Sequence, residues 1–409
     1  MKVYLRTFGC RANQYDSEQV RALVEGAGGT IVEDPSEADA AVFNSCAVTT
    51  EAEAELRKGI RKAARANASL RTVVMGCAAA LDQGQIAALP TVAGVVPGGD
   101  AFEVVRSLGL APQPGSVIPM QHGTRALLRI QEGCDEHCTF CATTMARGAN
   151  RSRSVADLVF EATRLSEHHP EIVLTGIHIG TWGRDIDQTL GSLVQRLVRD
   201  VPDVRFRLSS VEATEVDDGL RELFGEPERL VPHLHAPLQS GSDLVLKKMG
   251  RHWYTASSYA KAVERLVSDH AVFGLGADVI AGFPGETDDD HRATVSFVRS
   301  LPFTYLHVFP YSARPGTAAM RLPNQVDGGV ARHRAAELRA SGETLAHAYR
   351  VRRAGGSADV VIIRGDRREG LTEDYLQVDL EGERLPRGTR LAARLTQGPS
   401  EHLIAIPLA

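Results

Sequence analysis

The chain has 409 residues, enough for two or three domains, and 43% of them are hydrophobic. No apolar run approaches the length of a membrane span, and the first residues lack the apolar segment of a signal peptide, so we expect a cytoplasmic protein. The net charge of -5 gives no sign of a nucleic-acid-binding protein, although a local basic face would be sufficient for such binding.

The first section, residues 1–112, alternates apolar runs with helical patterns, which predicts an α/β domain built on a parallel sheet. Three of its cysteines, Cys10, Cys46 and Cys77, each follow an apolar run. Because the carboxyl ends of parallel strands share one edge of the sheet, we expect these cysteines to converge there. Three thiolates at one point suit an iron–sulfur cluster in which one iron has no protein ligand.

A linker rich in proline and glycine, around residues 110–123, follows this section. The second section, residues 120–350, then contains six apolar strand candidates, most of them separated by helical stretches: ALLRIQ, IVLTGIH, VRFRLSS, LVPHLHAPL, ADVIAGF and YLHVFP. Six β/α repeats predict an open, partial (β/α)6 barrel, and chemistry in such barrels lies at the carboxyl ends of the strands.

A second cysteine triplet follows the first of these strands directly. Cys134, Cys138 and Cys141 have the spacing C-x3-C-x2-C. They can hold three irons of a cubane cluster and leave the fourth iron open for a bound cofactor. Zinc is the alternative, but it prefers paired C-x2-C knuckles and a fourth ligand, and only Cys138 and Cys141 have that spacing. Disulfides are disfavoured in a cytoplasmic chain, and we interpret His137 as a solvated loop residue.

The end of the chain changes character. A long helix rich in alanine and arginine is predicted from Val330 to Arg353. Residues 354–409 then contain four short strands between glycine and charge clusters, which predicts a small β-barrel. This third section contains no cysteine, so we expect that it binds the substrate and is not needed for assembly of a cluster.

Short motifs surround the cysteines and the strand ends. They are FGCRANQYDSE, NSCAVT and MGCAAA in the first section, and IQEGCDEHCTFC, LTGIHIGTWG, HLHAPLQSGS, DVIAGFPGET and HVFPYS in the second. Together they resemble the motifs of the radical S-adenosylmethionine (SAM) methylthiotransferases, and the third section resembles the TRAM domain of that family. Two segments depart from the family pattern while keeping the cysteines: MGCAAA, and the stretch Ala142 to Met145 after the last cysteine.

The resemblance implies an enzyme that adds a methylthio group to C2 of N6-threonylcarbamoyladenosine (t6A) at position 37 of tRNA. The string LTGIHIGTWG favours this subfamily over two others. The alternatives are the same chemistry on isopentenyladenosine-37 of tRNA or on an aspartate of a ribosomal protein. A non-catalytic RNA-binding metalloprotein is the alternative from another class.

The resemblance also implies two [4Fe-4S] clusters and SAM. Cys134, Cys138 and Cys141 would hold the SAM-binding cluster, and an auxiliary cluster that handles sulfur would lie on Cys10, Cys46 and Cys77. No side chain is assigned as an acid or a base. The implied partners are the anticodon loop of tRNA and an electron donor such as flavodoxin or ferredoxin.

Further contacts are expected around the SAM-binding cluster. Those to SAM would come from Phe140, Thr175, Gly176, Gly282 and Pro284, with turn formation as the alternative role of the glycines. Those to RNA phosphates would come from Arg147, Arg151 and Arg153, with a solvated face as the alternative.

Overall fold

The computed structural model describes residues 1–47, 49–112, 120–399 and 402–408. Its first part contains the strands β1 (Lys2–Thr7), β2 (Thr30–Val32), β3 (Ala40–Ser45), β4 (Arg71–Gly76) and β5 (Val92–Pro97). The helices are α1 (Arg11–Gly26), α2 (Thr50–Ala66), α3 (Cys77–Ala80) and α4 (Ala101–Ser107). The five strands form one parallel sheet in the order β2-β1-β3-β4-β5.

Helices cover both faces of this sheet. On one face α1 and α4 pack against Val42 and Val73, and on the other α2 packs against Phe43 and Val74. The strand order reverses between β1 and β3, which is where sheets of this kind bind their ligands. The α/β prediction is therefore confirmed. The sequence did not predict strand β2, because three partly exposed residues are too few to show a hydrophobic period.

The second part contains all six predicted strands. They are β6 (Ala126–Arg129), β9 (Glu171–Thr175), β10 (Arg205–Leu208), β11 (His233–His235), β12 (Gly274–Ala281) and β13 (Tyr305–Pro310); the two-residue strands β7 (Gln131–Glu132) and β8 (Arg151–Ser152) form a short antiparallel ladder. The helices are α5 (Thr143–Arg147), α6 (Val155–Ser166), α7 (Leu190–Asp200), α8 (Asp218–Leu223), α9 (Asp243–Lys248), α10 (Ala256–Val267) and α11 (Asp288–Ser300).

These six strands form a parallel half-barrel. The sheets β10-β9-β6 and β11-β12-β13 are joined by the parallel bridges Phe206–Leu230 and Ser210–His235. One face of every strand packs against the surrounding helices in a single apolar core. Side chains alternate along a strand, so the remaining positions point inward. Several of these inward positions are polar, as at Glu171, His235 and Asp278.

The first part of the chain lies along the open side of this half-barrel. At one edge α1 packs against β6. At the other edge, after β13, the backbone N–H of Thr50 donates to the hydroxyl of Ser312 at 3.3 Å, and Arg314 forms an ion pair with Glu53. Both edge strands therefore adjoin the first part, which closes the gap between them.

The third part begins with the long helix α12 (Gly328–Arg353), two residues earlier than predicted. The strands β14 (Ser357–Arg364), β15 (Glu369–Thr372), β16 (Gln377–Leu380), β17 (Arg390–Gln397) and β18 (Leu403–Pro407) follow, and they form a closed barrel in the order β14-β15-β16-β18-β17. The predicted small barrel is confirmed. Strand β15 was not predicted because its sequence, EGLT, has no strand-like pattern.

The third part is joined to the half-barrel through buried arginines. Arg207 donates to the carbonyls of Glu373 (2.9 Å) and Thr372 (3.1 Å), and Arg205 donates to the carbonyl of Asp359 (3.0 Å). Both arginines are fully buried, Arg205 at the start of β10 and Arg207 two residues further on. The turn after β15 thus forms the floor of the half-barrel, which the spacing of the strands did not predict.

The predicted domain limits, 1–112, 120–350 and 354–409, stay predictions. Residues 113–119 of the linker lie outside the described residues. Within the described ranges, none of the helices combines the length and the apolar character that a membrane crossing needs.

Candidate active site

The first cysteine triplet lies at one edge of the five-stranded sheet. Cys10 is the residue before α1, Cys46 follows β3, and Cys77 is the first residue of α3, directly after β4. The strands β1, β3 and β4 are neighbours, so all three cysteines lie at the same edge. Gly9 has a φ of +99°, and a Cβ on it would lie 2.7 Å from the Cβ of Cys46. Only glycine fits there, so it lets the Cys10 turn approach Cys46.

Asparagines connect the loops that carry these cysteines. The Nδ2 of Asn13 donates to the Oδ1 of Asn44 at 2.9 Å and to the carbonyl of Ser45 at 2.7 Å. Its Oδ1 accepts from the sulfur of Cys10 at 3.4 Å. Both asparagines are fully buried. The N in each of the motifs FGCRAN and NSC therefore fixes the position of one cysteine loop against the other.

The second triplet lies at the carboxyl end of β6, beyond β7. The backbone N–H of Glu136 donates to the sulfur of Cys134 at 3.4 Å, and that of Thr143 donates to the sulfur of Cys141 at 3.3 Å. The third sulfur, of Cys138, accepts from Nη1 of Arg251 at 3.4 Å. Each sulfur thus accepts at least one hydrogen bond, as the thiolate ligands of iron–sulfur clusters do.

The thiol of Cys138 is a poor acid without a bound cation. Burial raises its pKa to about 12, although the nearby Arg251 acts in the opposite direction. A metal centre would therefore have to displace the proton when it binds.

The arrangement of the cysteines bears on the alternatives of disulfides and zinc. All six lie within the described residues, and none of them forms a disulfide with another. Among the described residues, the groups of three whose ligand atoms all lie within 4.8 Å of one another are His235–Asp278–His307 and His178–Glu212–Glu215, and neither cysteine triplet is that compact. Sulfurs around one tetrahedral zinc, with bonds of about 2.3 Å, must lie within about 3.8 Å of one another. The wider spacing fits an iron–sulfur cubane, in which each sulfur binds a different iron.

Arg147 connects the two triplets. It ends α5, which begins two residues after Cys141, and its Nε donates to the sulfur of Cys77 at 3.3 Å. Its Nη2 lies 2.8 Å from the carboxylate of Asp16, and its Nη1 lies 3.1 Å from that of Glu132. Burial raises the pKa of the Cys77 thiol, and Arg147 opposes that shift. Helix α3 packs against α5 around this contact, so the two cysteine loops face each other.

This geometry corrects the predicted role of Arg147. Its side chain is only 1% exposed and is held by two carboxylates, so it cannot bind RNA phosphates. Arg153 is also engaged, because its Nη2 donates to Glu161 at 2.7 Å, but its side chain is 31% exposed. Arg151 is exposed, and an RNA contact there stays a prediction.

The predicted SAM contacts lie around the second triplet, and they divide into two groups. Phe140 packs edge-to-face on Phe283, with ring centroids 6.3 Å apart. Thr175 is buried at the end of β9, and a Cβ on Gly176 would lie 2.6 Å from a backbone oxygen. Thr175 and Gly176 lie at the same strand ends as the cysteines. A contact of Phe140, Thr175 or Gly176 with SAM stays a prediction.

Gly282 and its neighbour Pro284 have a structural role in addition. Gly282 has a φ of +75°, and its N–H donates to the carboxylate of Glu286 at 3.1 Å. A Cβ at Gly282 would lie 2.3 Å from the Cβ of Ala331 in α12. The glycine is thus required for close packing of this turn on the helix, and Pro284 is buried in the same turn.

Two polar side chains at the second triplet were not predicted as site residues. The Nδ1 of His178 lies 3.5 Å from the sulfur of Cys134, and its Nε2 lies 3.0 Å from Glu215. Burial lowers the pKa of His178, but hydrogen bonds to Cys134 and Glu215 outweigh this effect and raise it to about 10. Arg251 is buried and forms an ion pair with Glu212. Neither residue stands near a cysteine in sequence, so spacing alone gave no signal.

Residues 128–298 match the radical SAM superfamily, and residues 2–98 match a family described as uncharacterized protein family UPF0004. The threonylcarbamoyladenosine tRNA methylthiotransferase MtaB of Thermotoga maritima is 33% identical over 94% of this chain and 92% of its own length. The chain belongs to the radical SAM methylthiotransferase family. MtaB of Bacillus subtilis is 36% identical over 85% of this methylthiotransferase and 81% of its own length.

Other relatives carry a different substrate in their names. The tRNA-2-methylthio-N(6)-dimethylallyladenosine synthase of Sphingopyxis alaskensis is 30% identical over 99% of this methylthiotransferase and 97% of its own length. Among solved structures, the radical SAM methyltransferase TsrM of Kitasatospora setae has a TM-score of 0.55 at 14% identity, covering 75% of this chain and 72% of that one. That likeness supports the fold alone.

Membership of this family makes the protein an enzyme of the radical SAM methylthiotransferase type. It implies SAM and a [4Fe-4S] cluster as cofactors. The hydrogen-bonded sulfurs of the second triplet, at the carboxyl end of the first barrel strand, fit that cluster.

Proposed function

We propose that this methylthiotransferase adds a methylthio group to C2 of t6A at position 37 of tRNA. Four relatives named threonylcarbamoyladenosine tRNA methylthiotransferase, at 31–36% identity, support this substrate. The two relatives named for dimethylallyladenosine are 30% and 31% identical over comparable lengths. Methylthiolation of isopentenyladenosine is therefore the competing outcome of the same chemistry.

The contact between α3 and α5 carries the proposal of two clusters. Cys134, Cys138 and Cys141 would hold the SAM-binding cluster, and Cys10, Cys46 and Cys77 would hold an auxiliary [4Fe-4S] cluster. When bound, the first supplies reductive cleavage of SAM and the second supplies the sulfur to be transferred. Such a transfer needs both centres to face one substrate atom, and the packing of α3 on α5 supports that arrangement.

The chain's own residues position these groups. The buried Arg147 holds the Cys77 loop against α5. Arg251 and the backbone N–H groups of Glu136 and Thr143 donate to the three sulfurs of the second triplet, and such hydrogen bonds stabilise negative charge on thiolates. The first part of the chain closes the open side of the half-barrel and so helps to exclude water from the centre.

The proposed partners follow from this chemistry. The anticodon loop of tRNA is accessible because its unstacked bases can turn out into a pocket. An external donor such as flavodoxin or ferredoxin would deliver the electron for SAM cleavage. A tRNA substrate and such a donor place the reaction in the cytoplasm.

Mass spectrometry of tRNA nucleosides from a gene-deletion strain tests the proposal. We expect the methylthio derivative of t6A to disappear and t6A itself to accumulate, and a plasmid copy of the gene should restore the modification. Loss of methylthiolated isopentenyladenosine with t6A unaffected would assign the enzyme to the competing substrate. Unchanged tRNA together with an unmodified ribosomal-protein aspartate would assign it to a protein target.

A further inference from the structure

Arg11 is a partly buried cation that has no carboxylate partner among the described residues. It is the residue after Cys10 and is half-buried. Its Nη2 donates to the hydroxyl of Tyr375 at 3.0 Å, and its guanidinium carbon lies 5.8 Å from the centroid of that ring. These are its contacts among the described residues, and none of them is an ion pair.

The surroundings of Arg11 carry a surplus of positive charge. Arg125, Arg205 and Arg207 all form ion pairs with a single carboxylate, that of Glu171. The guanidiniums of Arg125 and Arg207 also lie 5.9 and 5.4 Å from the ring centroid of Tyr375. Glu171 can offset one charge only, and Arg205 alone among the three has a second carboxylate, that of Asp359.

The surplus of positive charge lowers the pKa of the Tyr375 phenol. Burial alone raises its pKa, but Arg11, Arg125 and Arg207 outweigh burial and hold the pKa below its ordinary value. The region around Tyr375 therefore favours a negative charge.

A continuous polar wall leads from Arg11 toward the carboxyl ends of the barrel strands. The ring of Tyr305 lies 5.5 Å from that of Tyr375, and its hydroxyl lies 2.9 Å from His233 and 3.2 Å from His235. Beyond it lies His307, whose side chain is 55% exposed.

The carboxylate in this wall does not offset Arg11. The Oδ1 of Asp278 lies 3.1 Å from the Nε2 of His235 and 3.3 Å from the Nδ1 of His307, so Asp278 is already engaged by two imidazoles. The polar wall therefore runs from the exposed His307 to Arg11, and the guanidinium of Arg11 is positioned to bind an anion.

We propose that Arg11, supported by the hydroxyl of Tyr375, binds the carboxylate of the threonylcarbamoyl substituent of the substrate. The inference rests on the proposed function. A guanidinium binds a carboxylate through two parallel hydrogen bonds, and such charge-assisted bonds are stronger than those between neutral groups. Arg11 follows Cys10 directly in the chain, so the residue that would bind the carboxylate is the neighbour of a ligand of the proposed auxiliary cluster. A neutral dimethylallyl group would leave Arg11 unpaired, so the same residue would discriminate between the two substrates.

The test compares two synthetic anticodon stem-loops with the reconstituted enzyme. One carries t6A, and the other carries t6A with its carboxylate as the methyl ester, which keeps the size and removes the charge. For the wild-type enzyme we expect kcat/KM on the ester to be at least about tenfold lower than on the acid, mainly through KM.

Variants of Arg11 separate binding from folding. Arg11→Gln should treat the acid and the ester alike, and Arg11→Lys should recover part of the preference because it keeps the charge. Arg61→Gln, an exposed site on α2, is the matched control and should retain the wild-type preference. Iron content measured on each variant shows whether the neighbouring Cys10 still binds its cluster.

Each outcome has one meaning. If the wild-type enzyme methylthiolates neither stem-loop, the proposed function fails. If it methylthiolates the acid and the ester with equal kcat/KM, the function stands and the role of Arg11 is refuted. If Arg11→Gln loses iron, the wild-type comparison of acid and ester alone decides the question. An Arg11→Gln enzyme that keeps its iron and the full preference for the acid would also overturn the inference.

Discussion

The Nε of Arg147 and the sulfur of Cys77 lie 3.3 Å apart, although the two residues are 70 positions apart and belong to two different helices, α5 and α3. Arg147 follows the second cysteine triplet, and Cys77 belongs to the first. One buried guanidinium therefore connects the two candidate cluster sites. Since it also pairs with Asp16 and Glu132, its position is determined from several sides.

Replacing Arg147 by Met should lower the free energy of unfolding by about 3 kcal/mol, because the fully buried Asp16 loses a close cationic partner. Urea unfolding followed by circular dichroism under anaerobic conditions measures the change. Arg151→Met, at an exposed site four residues on, is the control and should stay within about 0.5 kcal/mol of the wild type. Equal stabilities of the two variants would contradict the assigned contact.

Replacing Cys134, Cys138 and Cys141 together by Ala should leave about half of the bound iron, because the first triplet keeps its own cluster. Iron and sulfide analysis of anaerobically purified protein gives the result. Complete loss of iron would mean that the two centres do not assemble independently, and zinc in the wild-type protein would contradict the cluster assignment.

Replacing Cys10, Cys46 and Cys77 by Ala should separate the two half-reactions. The barrel keeps the second triplet, so reductive cleavage of SAM to 5'-deoxyadenosine should continue, while no methylthiolated t6A should form. The assay needs a reductant, SAM and hypomodified tRNA without oxygen. Product from this variant would show that the sulfur comes from elsewhere.

The ionisation of Glu171 should make the free energy of unfolding depend on pH. Burial alone raises its pKa, but Arg207, Arg205 and Arg125 outweigh burial and hold it well below the ordinary value of 4.5. In the folded state this carboxylate stays ionised at pH values where the unfolded chain already binds a proton. The ion pairs of Glu171 therefore contribute fully to the free energy of unfolding above about pH 4.5, and this contribution is lost as the pH falls below that value toward the folded pKa.

The variant Glu171→Gln tests this contribution. It leaves buried arginines without their carboxylate, so we expect a loss of about 3–5 kcal/mol at pH 7 and a smaller difference from the wild type at pH 4. Urea midpoints at both pH values give the difference. Glu167→Gln, at an exposed site between α6 and β9, should show neither effect. A difference that grows toward pH 4 would reverse the assigned sign.

The sequence predicted the strands and the cysteine positions well, for a physical reason. Apolar runs such as IVLTG and ADVIAG must be buried against helices, and their order along the chain is enough to indicate a parallel α/β arrangement. Cys10, Cys46 and Cys77 follow three such runs, so their common edge could be predicted from the pattern. Strands β2 and β15 are too short to show such a period, and the sequence did not predict them.

The pairing of charges could not be predicted in this way. The sequence predicts an RNA contact for Arg147, with a solvated face as the alternative, yet its partners are Asp16 in α1 and Cys77 in α3. The same holds for Arg251, whose partner Cys138 is 113 positions away. A local pattern carries no information about a contact between distant segments.

The sequence by itself determined the fold class, the two cysteine triplets and the family, because hydrophobic period and ligand spacing are local properties of the chain. Only the tertiary structure shows that Arg147 is buried between the triplets. It also shows that Arg11, near the start of the chain, donates a hydrogen bond to Tyr375, near its end. Those contacts exist because the first part closes the open side of the half-barrel while the turn after β15 forms its floor. Their energies depend on burial and on partners that only the packed chain brings together.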